Sequence, residues 1–237
     1  MRQHLVFAFA ALAGIVPGAA AAADFLSTEV TTFTQPARVA EWAQFYIGIQ
    51  GGGAMSNRNG CYEIFAVTVD CASPAATPFD YNQQGFLLGA QAGANFFITD
   101  QFVVGAEVDA AMTNITGELL PGDIDGGVGT YTSLATGTVK VGYAFDQAMI
   151  YAEAGVAIAN FRYEGNAGCD FDQTHTGAVV GVGASYRVAE NISIFGEYNH
   201  VWLPSNSITC GTFMVIPTAV VNQGSLHIGK VGLNYEF

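Results

Sequence analysis

The chain ends in Lys230-Val-Gly-Leu-Asn-Tyr-Glu-Phe237, and this stretch decides how the rest is read. Val231, Leu233, Tyr235 and Phe237 share one parity, while Lys230, Gly232, Asn234 and Glu236 share the other. A helix would scatter the two sets around its axis. A strand, whose side chains alternate with a period of two, sorts them onto opposite faces. The same sorting recurs upstream. Ile150, Ala152, Ala154, Val156 and Ile158 oppose Tyr151, Glu153 and Gly155. Phe102, Val104, Ala106 and Val108 oppose Glu107 and Asp109, and Val139, Val141, Tyr143 and Phe145 oppose Thr138 and Lys140. Val180, Val182, Ala184 and Tyr186 oppose Ser185 and Arg187. The spacing predicts eight strands, over 43–55, 84–98, 102–113, 131–145, 149–163, 174–188, 192–203 and 222–237. Most reach the roughly 9–11 residues that a tilted strand needs to cross a bilayer.

The connections alternate. Three are short, at 99–101, 146–148 and 189–191, and four are long, at 56–83, 114–130, 164–173 and 204–221. Short turns at one end, long loops at the other and an apolar face on each strand predict an all-β fold. It is an eight-stranded antiparallel up-and-down barrel, apolar face to lipid, polar face to the lumen, with long extracellular loops. Closure is required, because an open sheet edge would leave backbone N–H and C=O groups unpaired in hydrocarbon. Aromatic residues near the predicted strand ends (Phe45, Tyr46, Phe96, Phe97, Phe102, Tyr143, Phe145, Tyr186, Tyr235 and Phe237) suit interfacial girdles.

Composition agrees. Only 11% of residues are charged, against about 25% in ordinary soluble domains. Acids outnumber bases 20 to 7, which excludes a nucleic-acid binder, since that needs a basic stripe to displace counterions. Arg2, the apolar run Leu5–Val16, the Pro17-Gly18 break and the Ala run before Asp24 predict a signal peptide over 1–23. The polar segment 24–41, with Pro36, reads as a periplasmic tail, leaving 42–237 for the barrel. Localisation in a bacterial outer membrane follows from these features.

Cys61, Cys71, Cys169 and Cys210 all follow the signal, so an oxidising compartment and disulfides are expected. Four cysteines allow three pairings. Cys61–Cys71 is the most local choice and leaves Cys169–Cys210.

Several stretches resemble the small eight-stranded outer-membrane barrels of alphaproteobacteria, related to OmpA-like and opacity-protein barrels and often grouped as a porin family. They are Trp42-Ala-Gln-Phe-Tyr-Ile-Gly48, Lys140-Val-Gly-Tyr-Ala-Phe145, Tyr151-Ala-Glu-Ala-Gly-Val-Ala157, Asn191-Ile-Ser-Ile-Phe-Gly-Glu-Tyr198 and Val231-Gly-Leu-Asn-Tyr-Glu-Phe237. The resemblance spans about residues 40–237, and nothing in the chain resembles the peptidoglycan-binding domain of full OmpA. It implies that Val231, Leu233, Tyr235 and Phe237 form the assembly signal read by the barrel assembly machinery.

The polar parity places Glu107, Asp109, Lys140, Glu153, Arg187, Glu197, Lys230 and Glu236 in the lumen. An eight-stranded barrel is just wide enough for side chains to fill. Charges there must pair, which predicts an ion-pair network that plugs the lumen. The excess of acids supports the alternative, a small pore or uptake protein with a cation-preferring path. His200 and His227 fall late in the seventh segment and early in the eighth, facing outward with Trp202 nearby. They suit an interfacial polar pair, or a metal or haem ligand pair, yet two ligands are fewer than a zinc site needs. Asp123-Ile-Asp125-Gly126 lacks the remaining ligands of an EF-hand, and Gly51-Gly52-Gly53 lacks the Lys-Ser/Thr of a phosphate loop. No GxSxG elbow and no His-x-Ser arrangement occurs. No catalytic residue, metal ligand or cofactor is assigned.

The first three long connections hold nine acids against one base, Arg58. The fourth is uncharged and carries Phe213, Met214, Val215 and Ile216. These features predict an extracellular β-rich cap, stapled by Cys61–Cys71 and Cys169–Cys210, with the apolar loop packed into it or offered to a partner. The sequence therefore points to a non-catalytic surface protein acting in membrane integrity, adhesion or self-association through its loops. Its expected surroundings are outer-membrane lipid and lipopolysaccharide, with a protein partner at the loops.

Overall fold

A computed structural model describes residues 45–64, 70–74, 76–118, 127–165, 170–204, 206–209, 217–221 and 224–237. The expected signal peptide, the 24–41 tail, Cys169, Cys210 and Phe213–Ile216 lie outside the described residues. Among the described residues ten strands occur: β1 (Phe45–Ile64), β2 (Thr77–Phe97), β3 (Phe102–Glu118), β4 (Gly127–Phe145), β5 (Ala148–Gly165), β6 (Phe171–Ala189), β7 (Ile192–Leu203), β8 (Asn206–Thr209), β9 (Pro217–Val221) and β10 (Gly224–Glu236). β1 to β7 pair in sequence, β7 pairs with β10, and β10 pairs back to β1, so eight antiparallel strands close a barrel.

The sequence expectation of eight strands holds for the barrel, with two differences. β2 begins seven residues earlier than the alternation suggested, and β1 runs to Ile64, so their connection shrinks to residues 65–76. The uncharged connection after β7 also contains two short strands. β10 pairs with β1 over Tyr46–Asn57, and beyond it β9 takes over the same edge over Gly60–Ile64, with β8 outside it. An edge strand extending past its partner exposes unpaired backbone groups. β9 covers them, so the long β1–β2 hairpin is flanked by a third and a fourth strand.

The turns at the opposite end are tight for local reasons. Asp146 sits at φ 54°, in the left-handed region that a two-residue hairpin turn demands and that Asp tolerates better than most residues. The Thr99 hydroxyl accepts bonds from the Gln101 and Phe102 amides. Asn191 Nδ2 donates to the Glu236 carbonyl at 2.8 Å, and the Phe237 amide donates to the Phe45 carbonyl at 3.0 Å, which ties both ends of the barrel sequence to this rim. At the closing seam the backbones come close: a Cβ on Gly52 would lie 2.1 Å from the Gly229 carbonyl oxygen, so only glycine fits there.

The outer wall is apolar. Leu88, Val141 and Val231 are 72, 59 and 67% exposed, and Ile49, Val139 and Val182 point the same way. In water such a continuous surface would drive aggregation; in a bilayer it faces acyl chains. At the short-turn rim, Phe45 packs edge-on against Phe96, Phe102 against Tyr143, and Tyr235 against Phe237. Tyr46 departs from the girdle expected of it. It has the opposite parity to Phe45, points inward and is 5% exposed.

Candidate functional site

The lumen is stratified. Going inward from the short-turn rim, a small apolar layer of Val103, Ala144, Met149 and Tyr151 comes first. There Arg187 pairs with Glu236 at 2.6 Å. Next comes a layer of six charges from five strands: Glu107 and Asp109 of β3, Lys140 of β4, Glu153 of β5, Glu197 of β7 and Lys230 of β10. The eight lumenal charges read from the sequence thus divide into a cluster of six and a separate pair.

Register builds the cluster. Lys140 stands directly opposite Glu153, and Lys230 opposite Glu197. Lys140 Nζ lies 2.8 Å from Glu107 Oε2, 3.6 Å from Glu153 Oε2 and 3.8 Å from Glu197 Oε2. Lys230 Nζ lies 3.1 Å from Glu197 Oε1 and 3.5 Å from Asp109 Oδ2. Neutral donors complete the shell. Tyr46 donates to Glu107 at 2.6 Å, Tyr151 to Glu197 at 3.1 Å, Thr138 to Glu153 at 3.1 Å, and Asn199 to Glu197 at 2.8 Å. Gln50 and Thr136 both donate to Asp109. The Lys140 ammonium also rests 4.5 Å from the centre of the Tyr151 ring, a cation–π contact. β6 crosses this level on glycine: a Cβ on Gly181 would sit 1.8 Å from Asn199 Oδ1 and 2.8 Å from Glu153 Oε1. Its bare backbone leaves room for the Glu153 and Asn199 side chains.

Burying these charges is costly unless each is paired and hydrogen-bonded, and here every charged group has at least one opposite partner. The sequence reading named none of Tyr46, Gln50, Thr136, Thr138, Tyr151 and Asn199 as a partner of these charges. Their signal was present: Tyr151 lies two residues before Glu153, Asn199 two after Glu197, and both threonines keep the parity of Lys140.

Above the ionic layer the lumen differs from expectation. The inward face was read as polar throughout, yet toward the long-connection end it is packed with Ile115, Tyr131, Leu134, Phe161, Val179, Val201, Leu203, Leu226 and Ile228. Ile115, Val201 and Leu203 have no exposed surface at all. Here both parities are apolar, as in Val179-Val180 and Val201-Trp202, so alternation weakens and the inner plug is lost to a search for polar faces. His175, 4% exposed, is held within this plug against Tyr131 and Phe161.

Beyond the plug, Cys61 and Cys71 form a disulfide across the β1–β2 hairpin. Asp70 caps the turn that carries Cys71: its carboxylate accepts from the Ala72 amide and its carbonyl from the Ser73 amide. Where the outer wall turns polar, Arg162 of β5 pairs with Asp172 of β6 at 2.8 Å, fully in solvent. The hydrogen bond from Arg162 holds the Asp172 carboxyl below its ordinary range. On the outer wall His200 and His227 stand side by side on β7 and β10. The apolar parity of the last strand, Val231, Leu233, Tyr235 and Phe237, points outward along its whole length.

A closed antiparallel barrel with an apolar outer wall and an aromatic rim is the architecture of a bacterial outer-membrane protein. The chain belongs to the outer membrane protein beta-barrel domain family, which it matches over residues 8–237, and it is a protein of the outer membrane. It is 27% identical over 240 residues to the 31 kDa outer-membrane immunogenic protein of Brucella melitensis, an alignment covering 96% of this chain and 98% of that one. Among solved structures it is similar to OprG from Pseudomonas aeruginosa, with 15% identity, a TM-score of 0.49 and coverage of 84% of this chain and 99% of that one. It is also similar to Neisserial surface protein A, with 16% identity, a TM-score of 0.43 and coverage of 81 and 97%. Outer-membrane lipids are its surroundings.

Proposed function

We propose that this barrel is a non-catalytic surface protein whose lumen is sealed and whose activity resides at the long-connection end. The observation that carries this reading is the double plug, a paired ionic layer beneath a tightly packed apolar one. A hydrophobic constriction excludes water, and ions do not pass where water does not. The remaining chemistry lies above the plug, on the disulfide-stapled β1–β2 hairpin and the β8–β9 hairpin beside it. We place this end outside the cell, where it would serve adhesion, self-association or the integrity of the membrane surface. The immunogenic character printed in the name of the Brucella relative supports an exposed surface. Val231, Leu233, Tyr235 and Phe237 would be read by the barrel assembly machinery, since they present an unbroken outward stripe at the chain's end.

One observation favours a narrow pore instead. Gln50 Oε1, Gln91 Oε1, Glu107 Oε1 and Asn199 Oδ1 accept no hydrogen bond from the described residues, and a hydrated lumen would satisfy them. Single-channel recording in a planar bilayer separates the two readings, with heat-modifiable gel mobility to prove folding. The sealed barrel is silent. Reproducible cation-selective steps from folded protein would overturn the proposal and install the pore.

A further inference from the structure

The geometry points to a transition-metal site on the outer wall, built from Tyr198, His200 and His227, which takes a late first-row divalent ion, copper before zinc. His200 and His227 are direct cross-strand partners, and both rings are partly exposed on the outward face. Their Nδ1 atoms face each other at 3.3 Å. Two nitrogen ligands each about 2.0–2.1 Å from a tetrahedral ion stand about 3.3–3.4 Å apart, so the pair already has ligand spacing. The Tyr198 hydroxyl, on the same face two residues before His200, lies 2.6 Å from His227 Nδ1. The Tyr198 hydroxyl and His200 Nδ1 therefore both stand against His227 Nδ1.

The neighbouring strands present apolar side chains to the pair. Val180 of β6 stands opposite His200, and Met55 of β1 stands opposite His227. Neither of these cross-strand neighbours carries a charge. The Trp202 ring packs edge-on against His200, with centroids 4.4 Å apart, and fixes its orientation. An imidazole ring nitrogen can exchange such a hydrogen bond for a metal. Met55 lies in the same cross-strand row, on the same outward face. Two imidazoles with a phenol form a donor set that suits copper, and copper also stands highest in the affinity order of divalent ions. Tyr198 and Trp202 are exposed, amphipathic rings of the kind that settle at the headgroup level, where an aqueous ion can reach the site. This inference does not depend on whether the lumen conducts.

The test uses the refolded chain in detergent, without an affinity tag, titrated calorimetrically with copper(II) and with zinc(II), and followed by electron paramagnetic resonance. The expected result is one saturable copper equivalent per barrel, with nitrogen hyperfine structure from two imidazoles, and weaker zinc binding at the same site. H200Q and H227Q change side chains on the outer wall only, and heat-modifiable mobility verifies their folding. Each should weaken copper binding by at least about 10–100-fold, the loss typical even of an outer-shell partner. Y198F should alter the spectrum while retaining nitrogen ligation. The inference is overturned if the folded wild-type barrel shows no saturable binding. It is equally overturned if the H200Q/H227Q double variant keeps the wild-type stoichiometry and spectrum.

Discussion

Replacing Lys140 by Met keeps most of the side chain's volume and removes only its charge. The ammonium lies 2.8, 3.6 and 3.8 Å from three carboxylates, and its side chain is 6% exposed. At an effective dielectric of about 20, these separations correspond to about 6, 5 and 4 kcal/mol of gross attraction, an upper bound set against the cost of desolvation. The net loss on breaking a buried pair is smaller, about 3–5 kcal/mol, most of it the penalty of stranding the partner. Lys230 remains 3.1 Å from Glu197, so Glu107 and Glu153 are the groups left exposed to that penalty. Equilibrium unfolding in urea, in lipid vesicles, followed by the fluorescence of Trp202 at the outer wall, should show K140M less stable by about 3–5 kcal/mol. E107Q should be destabilised less, and K140M/E107Q should recover part of the K140M loss, because removing the carboxylate removes the stranded charge. A K140M loss below about 1 kcal/mol, the range of a solvated surface pair, together with no coupling in the cycle, would refute the sealed ionic layer.

Three further outcomes follow from the geometry. G181V forces a Cβ to 1.8 Å from Asn199 Oδ1, so it should leave the barrel unfolded in the gel-mobility assay or destabilise it by at least about 1–3 kcal/mol, while V182A on the lipid side of the same strand should fold normally. C61S/C71S opens a crosslink of sequence separation 10, worth typically about 2–4 kcal/mol to the hairpin, so proteolysis between β1 and β2 should accelerate while barrel unfolding stays at the wild-type midpoint. Removing the outward terminal ring with F237A should slow barrel assembly in cells but leave the refolded barrel's unfolding curve close to wild type, a split that a purely structural role for this 68% exposed residue would not produce.

Much of this was legible before any fold was known. Alternation along Lys230–Phe237 and its counterparts assigned each side chain to a face, because a strand's period of two leaves no freedom in that choice. The three tight connections and the scarcity of charge then pointed to a closed barrel in lipid, and parity put Glu107, Asp109, Lys140, Glu153, Arg187, Glu197, Lys230 and Glu236 on the polar face. Height along the barrel was a different matter. Which charges meet depends on cross-strand register, and register depends on bulges such as those between Met112 and Ile115 and between Tyr131 and Ser133, which no one-strand pattern reveals. Tertiary structure therefore decided that six charges gather around Lys140 and Lys230 while Arg187 and Glu236 stand apart. It also placed Tyr46 under Glu107, set an apolar plug above the ionic layer, and handed the upper edge of β1 to β9. The outward histidines follow the same rule: parity put both on the lipid face, but only the pairing of β7 with β10 set their nitrogens 3.3 Å apart with Tyr198 against them. A period fixes direction from local covalent geometry. Position requires the neighbours, because it is set by hydrogen bonds between strands far apart in the chain.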